Sequence, residues 1–417
     1  MTSDPLHLVF AGGGTGGHLF PGLAVAGQLA GETPRARITF VGSGKPFERR
    51  EVAAAGFEYL VLPCRPLPKR ARGLWSFLLE NLAGYLAAGR FLDEQPAAAV
   101  VGLGGYASVP MARAASRRGV PLVLLEQNAV PGRATRWLAR SATLVCAGLA
   151  QTRANLRCRC PVHVTGTPIR RKAGQVCSEV PSSDVPAWGG RGRASASPRK
   201  AGGLGAHRPT LRVGARRPQP PVGPSSRQLL ILGGSNGARS VNQHVPRALY
   251  RIRGELAGWK IVHQSGETER EATRRLYQKL GLEATVAGFI ERMPEVLAAS
   301  DLAVCRAGGT TLAELAAAGL PAVLLPYPDA TDDHQRRNAE VFSRAGGCVT
   351  LDECRLPGRL DIHLAEAVGS LLGDPHRRAR MSAAMRRLAR PDAAAEVAAL
   401  ILQEVFRRFP RALSAAA

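Results

Sequence analysis

Short apolar runs recur along this chain, separated by glycine turns and helical stretches, and the runs are continuous rather than alternating. In the first part they fall at residues 6–11, 37–42, 98–101, 122–125 and 143–146, with 21–30 reading as the helix after the first. A continuous apolar run is what a strand buried on both faces requires, so the pattern predicts a parallel sheet covered by helices. It restarts at 228–232 and continues through 260–264, 284–287, 302–305 and 322–326. The economical reading is an α/β protein of two Rossmann-like, doubly wound units. A length of 417 residues accommodates two such cores.

Between the units, 172–226 is rich in Gly, Pro, Ser, Ala and Arg and shows no sustained periodicity. Such a segment cannot bury enough apolar surface to offset its ordering entropy, and a disordered basic linker is expected. The expected division is a first domain over 1–171, the linker, a second domain over 227–390 and a C-terminal helix over 391–417. In that last segment Val397, Leu400, Ile401 and Val405 lie at helical spacing, so the helix should pack back on a domain.

Charge changes this picture little. The formal net charge is +24, and residues 171–227 hold 11 Lys/Arg against 2 Asp/Glu, so one segment supplies +9 of it. No recognition motif or aromatic stacking platform accompanies the excess, and nucleic acid is not an expected partner. The eight cysteines include no Cys-x-x-Cys pair, which argues against a metal site or disulfide framework. No apolar run approaches the ~18 residues of a membrane span. Residues 1–5 lack a basic n-region and lead into a strand, so no cleavable leader is expected.

The candidate chemistry lies in glycine turns. Gly12-Gly13-Gly14-Thr15-Gly16-Gly17-His18 follows the first strand and opens a helix, where close backbone approach and aligned N–H groups suit an oxyanion. Its spacing also fits a dinucleotide fingerprint, but Val41-Gly42-Ser43 stands where that fold places an acid. Gly102-Leu103-Gly104-Gly105-Tyr106 and Gly233-Gly234-Ser235-Asn236-Gly237 are similar turns at the carboxyl ends of strands, where ligands of such sheets bind. Arg306-Ala307-Gly308-Gly309-Thr310-Thr311-Leu312-Ala313-Glu314 opens an Ala-rich helix. Thr311-x-x-Glu314 reads as a capping box, or alternatively Glu314 accepts the hydroxyls of a ribose. Asp332-Asp333-His334-Gln335 to Asn338, after Pro326-Tyr327-Pro328, offers imidazole and amide groups for sugar hydroxyls, or is a plain polar loop.

These residues carry a resemblance. The first glycine turn with Phe20-Pro21-Gly22, Gly104-Gly105-Tyr106, Glu126-Gln127-Asn128, Gly166-Thr167-Pro168-Ile169-Arg170, Gly233-Gly234-Ser235, Gly288-Phe289-Ile290 and 306–314 with Gln335 occur in order and register. Outside 172–226 the chain resembles the MurG family, which transfers N-acetylglucosamine from UDP to lipid I, forming lipid II in bacterial peptidoglycan synthesis. The resemblance implies the GT-B architecture: two Rossmann-like domains facing a cleft and a C-terminal helix returning to the first. It implies that Ile290 meets the uracil, Glu314 the ribose, Gln335 the donor sugar, and Ser235 with the turn of Gly309, Thr310 and Thr311 the diphosphate. Arg306, Leu312 and Ala313 belong to that same donor segment.

Thr15, Gly16, Gly17, Tyr106, Asn128 and Arg170 would line the acceptor side. His18 is a candidate general base, or else a residue that orients its loop or binds phosphate, and Glu126 is the other candidate base. The implied reaction inverts configuration and needs no cofactor or metal, in keeping with the lack of any Asp-x-Asp pair. The implied partners are UDP-N-acetylglucosamine, the lipid-linked acceptor, an anionic membrane and other wall-synthesis proteins, at the cytoplasmic face of the cell membrane. Arg65, Lys69, Arg70 and Arg72 followed by Trp75, Phe77, Leu78, Leu79, Leu82 and Tyr85 form a basic, amphipathic segment suited to that surface. Thr167 stands where the family is expected to carry Asn. Another GT-B transferase, a UDP-sugar epimerase and a basic nucleotide-binding or nucleic-acid-binding protein are the rival readings.

Overall fold

The computed structural model describes residues 6–68, 70–170, 227–234 and 237–409. The expected linker, Lys69, Ser235 and Asn236 lie outside these residues.

The first part builds a seven-stranded, all-parallel sheet from β1 (His7–Gly12), β2 (Arg37–Gly42), β3 (Glu58–Val61), β4 (Ala99–Gly104), β5 (Leu122–Glu126), β6 (Leu144–Ala147) and β7 (Val162–Val164). Their order is β3-β2-β1-β4-β5-β6-β7. Six helices accompany them: α1 (Gly16–Glu32), α2 (Pro46–Ala54), α3 (Leu74–Glu94), α4 (Val109–Arg117), α5 (Arg133–Leu138) and α6 (Ala150–Ala154). The second part repeats the plan with six parallel strands, β8 (Arg227–Leu232), β9 (Trp259–Gln264), β10 (Thr285–Ala287), β11 (Leu302–Cys305), β12 (Ala322–Leu324) and β13 (Cys348–Thr350). These are ordered β10-β9-β8-β11-β12-β13. Its helices are α7 (Arg239–Arg251), α8 (Arg270–Lys279), α9 (Met293–Ala298), α10 (Gly309–Ala318), α11 (His334–Arg344), α12 (Leu360–Leu372), α13 (Pro375–Leu388) and α14 (Ala393–Arg408).

The continuous apolar strands have the physical cause inferred from the sequence. Along β1, Leu8 and Phe10 enter a core with Leu19, Val25 and Leu29 of α1, while Val9 and Ala11 enter another with Ala88 and Leu92 of α3 and Met111 of α4. β8 does the same, with Leu229 and Ile231 on one face and Leu230 and Leu232 on the other. Each of the Val, Leu, Ile, Phe and Met side chains among them contributes ~1.5–3 kcal/mol on burial. From α14, Val397, Ile401 and Val405 join the Leu8–Phe10 core, so the C-terminal helix packs against α1 as expected.

Three strands were not expected: β3, β7 and β13. All are short sheet edges with incompletely buried residues, so they lack the long apolar run that marks an interior strand. α1 begins at Gly16, five residues before the expected start, because the glycine turn itself forms its first turn.

Candidate functional site

Each doubly wound sheet has a switch point where the chain reverses its direction of winding. In the first sheet it lies between β1 and β4, and in the second between β8 and β11. The turns after those strands therefore open at the carboxyl edge, where the fold collects ligands. They line a cleft of about 1710 Å³ shared by both halves.

The cleft floor is where the N-termini of α1 and α10 meet. Pro21 lies inside α1 and has no N–H, so the carbonyl of Gly17 receives no bond from that position. Thr310 Oγ1 donates to this carbonyl at 2.7 Å, joining the two helix starts. A Cβ on Gly309 would lie 2.3 Å from the backbone oxygen of Gln127, so only glycine permits that approach. Two helix N-termini at one point concentrate positive partial charge and backbone N–H donors, a setting made for anions.

His18 lies in the first turn of α1 and packs on the Gly104–Gly105 turn, with Thr15 Oγ1 3.2 Å from its Nδ1. Burial lowers its pKa from 6.5, opposed by the charge of Glu126 and a hydrogen bond to the Gly13 backbone, so the neutral imidazole dominates at neutral pH. Glu126 ends β5 behind the cleft wall and is buried. One carboxylate oxygen accepts from the N–H and side-chain amide of Asn128 at 3.1 and 2.9 Å, and the other from Gly132 N–H at 2.9 Å. The loop that carries Asn128 is thus folded around this carboxylate.

In the second half the capping box does not form. α10 starts at Gly309 with Gly308 as its cap, so Thr311 is already the third helical residue and Glu314 stands a turn beyond any capping position. Glu314 instead meets Arg170, whose guanidinium lies 3.3–3.4 Å from Oε1 and 3.9 Å from the Phe20 ring centroid. Burial raises the Glu314 pKa, and Arg170 opposes the rise. Arg306 pairs with Glu353, donates to Leu325 O at 3.0 Å and faces the Tyr327 ring. Gln335 Oε1 accepts from the N–H groups of Ala307 and Tyr327 at 3.2 and 2.9 Å, which orients the amide and leaves Nε2 as its donor.

Of the residues singled out from the sequence, Thr15, Gly16, Gly17, His18, Tyr106, Asn128, Arg170, Arg306, Gly309, Thr310, Thr311, Glu314 and Gln335 line this one cleft. Ile290 is buried beside it, its N–H donating to Gln264 Oε1 at 3.3 Å. Leu312 points into the core and its N–H bonds to Gly308 O; neither it nor Ala313 lines the cleft.

Two amides hold roles that the sequence alone does not give them. Asn338 on α11 is fully buried and ties the halves together: Oδ1 accepts from Ala129 N–H at 2.8 Å, and Nδ2 donates to Asn128 Oδ1 and Ala307 O at 3.0 and 3.1 Å. Gln127 lines the cleft with its Nε2 buried and unpartnered among the described residues. Both are amides inside stretches quoted from the sequence, but only contacts between distant segments distinguish them from loop polar residues. Where the cleft reaches α3, that helix turns Trp75, Leu79 and Leu82 outward, 76%, 63% and 54% exposed, with Trp137 nearby on α5. No helix among the described residues is long and apolar enough to cross a membrane.

Comparison with known proteins agrees with this geometry. Residues 8–147 match the glycosyltransferase family 28 N-terminal domain, and residues 228–397 the family 28 C-terminal domain. The UDP-N-acetylglucosamine–N-acetylmuramyl-(pentapeptide) pyrophosphoryl-undecaprenol N-acetylglucosamine transferase of Methylococcus capsulatus is 38% identical over 406 residues, covering 95% of this chain and 98% of its own. The crystal structure of Acinetobacter baumannii MurG superposes with a TM-score of 0.66 at 27% identity, over 96% of this chain and all of that one. A UDP-N-acetylglucosamine 2-epimerase from Listeria monocytogenes, 12% identical with a TM-score of 0.60 over 98% of this chain and 97% of its own, shares the fold alone. With both family domains present and near-complete coverage, the chain belongs to glycosyltransferase family 28 and, within it, to the MurG family of N-acetylglucosaminyltransferases.

Proposed function

We propose that this enzyme transfers N-acetylglucosamine from UDP-N-acetylglucosamine to the N-acetylmuramyl sugar of lipid I, giving lipid II with inversion at the anomeric carbon. The observation that carries the reading is the meeting of the α1 and α10 N-termini in one cleft, with a partly buried imidazole on one side and a partly buried carboxylate on the other. On the donor side Glu314 accepts the ribose hydroxyls, the uracil competes with Gln264 for the Ile290 N–H, and Gln335 Nε2 reaches the sugar. Ser235, three residues beyond β8 in the sequence, is assigned to the diphosphate by family likeness.

The chemistry is displacement of UDP by an acceptor hydroxyl. Negative charge grows on the leaving diphosphate, and the first turn of α10 and Arg170 stabilise it as it forms. For Arg170 to do so it exchanges Glu314 for phosphate oxygens. His18, held neutral by its surroundings, takes the hydroxyl proton. Glu126 then serves to shape the loop of Asn128, since its carboxylate oxygens already accept three hydrogen bonds.

The acceptor carries a polyprenyl chain, and the outward apolar face of α3 suits attachment to the surface of the membrane that holds it. With that attachment the enzyme sits peripherally at the cytoplasmic leaflet. Transfer of labelled N-acetylglucosamine to a lipid I analogue tests the whole reading, with EDTA present to test metal independence. An epimerase would interconvert the nucleotide sugar without acceptor. No lipid-linked product with acceptor present would refute the proposal.

A further inference from the structure

Beyond the cleft wall, one buried carboxylate is engaged by the first glycine turn. Glu48, on α2, is 1% exposed. Its Oε1 accepts from Gly14 N–H at 2.5 Å and Ser43 Oγ at 2.8 Å, and its Oε2 from Ser43 N–H at 2.9 Å and Tyr59 Oη at 2.5 Å. Lys45, just before α2, holds the other side of the same turn by donating from Nζ to Gly14 O at 2.9 Å. The turns after β1 and β2 and the strand β3 are therefore knotted around one anion. A dinucleotide fold sets an acid near Ser43 to accept a ribose outside the sheet. Here the acid reaches that place from α2 and faces inward, with four donors on its two oxygens.

We infer that Glu48 is a positioning residue for the transfer reaction, fixing the Gly13–Thr15 backbone and through it His18. Gly14 precedes Thr15, the residue that caps α1 and whose Oγ1 contacts His18 Nδ1. With its N–H held by Glu48 and its carbonyl by Lys45, both peptide units flanking Gly14 are set. Gly13 shows how tightly they close on the carboxylate: at φ 151° any Cβ would stand 2.8 Å from Glu48 Oε1. The Gly14 N–H is thus withdrawn from substrate, while the N–H groups at the start of α1 keep the aim that the turn imposes. A buried carboxylate suits this work because charge-assisted bonds are shorter and about twice as strong as neutral ones.

The inference rests on the proposed transfer reaction, and every rate is read against a parent protein first shown to make the lipid-linked product, so failure of that reaction registers separately. Glu48→Gln keeps the size but swaps one acceptor for a donor facing an N–H or hydroxyl. The expected result is a kcat lowered tenfold or more, with the affinity for UDP, measured by calorimetry, within twofold of the parent. Lys45→Met provides a second variant at an exposed side chain, expected to fold normally and to lower kcat threefold or more with UDP affinity again unchanged. The pH–rate profile of either variant should show a displaced acidic limb, since the surroundings of His18 shift with its turn. A kcat within twofold of the parent in folded Glu48→Gln overturns the inference. So does a parallel loss of UDP affinity and kcat in both variants, which marks a general loss of structure. If Glu48→Gln does not fold, an unchanged kcat and pH profile in Lys45→Met overturns it.

Discussion

His18 and Glu314 sit on opposite sides of the cleft, and burial acts on them in opposite senses. Burial disfavours the charged form of each, so it lowers the imidazole pKa and raises the carboxyl pKa. For His18 the base form persists to lower pH than in a free histidine, so the acidic limb of kcat/KM should fall below pH 6.5. His18→Ala should lower kcat by about 10²–10⁴ and abolish that limb, with donor KM little changed. A limb that survives, with less than a tenfold loss, turns attention to Glu126. For Glu314 the sign is reversed: the carboxylate is lost as pH falls through a raised pKa, so donor KM should start to climb at higher pH than an ordinary carboxylate would dictate. Glu314→Gln removes charge-assisted acceptance of about 1.5–3 kcal/mol and should raise donor KM roughly ten- to a hundredfold. An unchanged donor KM would remove the ribose assignment. These residues were visible as motif members, but their partners were not. The sequence pattern Thr311-x-x-Glu314 leaves a cap and a ribose ligand both open, and only the start of α10 at Gly309 removes the cap and sends the carboxylate to Arg170, 144 residues away in the chain.

Among the elements, α3 shows how far an amphipathic pattern carries. Its inner side buries Ala88 and Leu92, and its outer side leaves Trp75 and Leu79 in solvent. The basic cluster before it is weaker than its sequence suggests, because Arg65 is paired with Glu80 at 2.8 Å. Attachment to vesicles should therefore depend chiefly on the apolar face, with each nearby basic residue adding about 1 kcal/mol on an anionic surface. Trp75→Ala with Leu79→Ala should weaken sedimentation with anionic vesicles at least tenfold while leaving transfer to a short-chain acceptor in detergent within threefold. Equal vesicle binding by parent and variant would move the attachment elsewhere. α1 teaches the complementary lesson. Pro21 reads as the start of a helix, yet it stands in the second turn, and the carbonyl it leaves unpaired is the one that Thr310 reaches. The edge strands β3, β7 and β13 were illegible because an edge needs little burial and so leaves little pattern.

At the scale of the whole molecule, the two halves are joined by Asn338, by Thr310 on Gly17, by Arg170 on Glu314 and by Arg136 on Asp332. Asn338→Ala should leave the Ala129 N–H buried without its acceptor, costing about 1–3 kcal/mol. Its melting temperature should drop by several degrees, and acceptor KM should rise more than donor KM because Asn128 loses its anchor. If both constants stay at parent values, Asn338 is a packing residue only. Two doubly wound units, the carboxyl-edge glycine turns and an amphipathic C-terminal helix were determined by local pattern, since apolar runs, glycines and helical periodicity act over a few residues, whereas strand order is set by pairings between distant segments. Which side chains face one another across the cleft was decided by tertiary structure alone. Contacts such as Asn338 with Asn128, Arg170 with Glu314 or Glu48 with Gly14 join residues far apart in sequence, and their partners are selected by where the sheets place them, a quantity no local pattern contains.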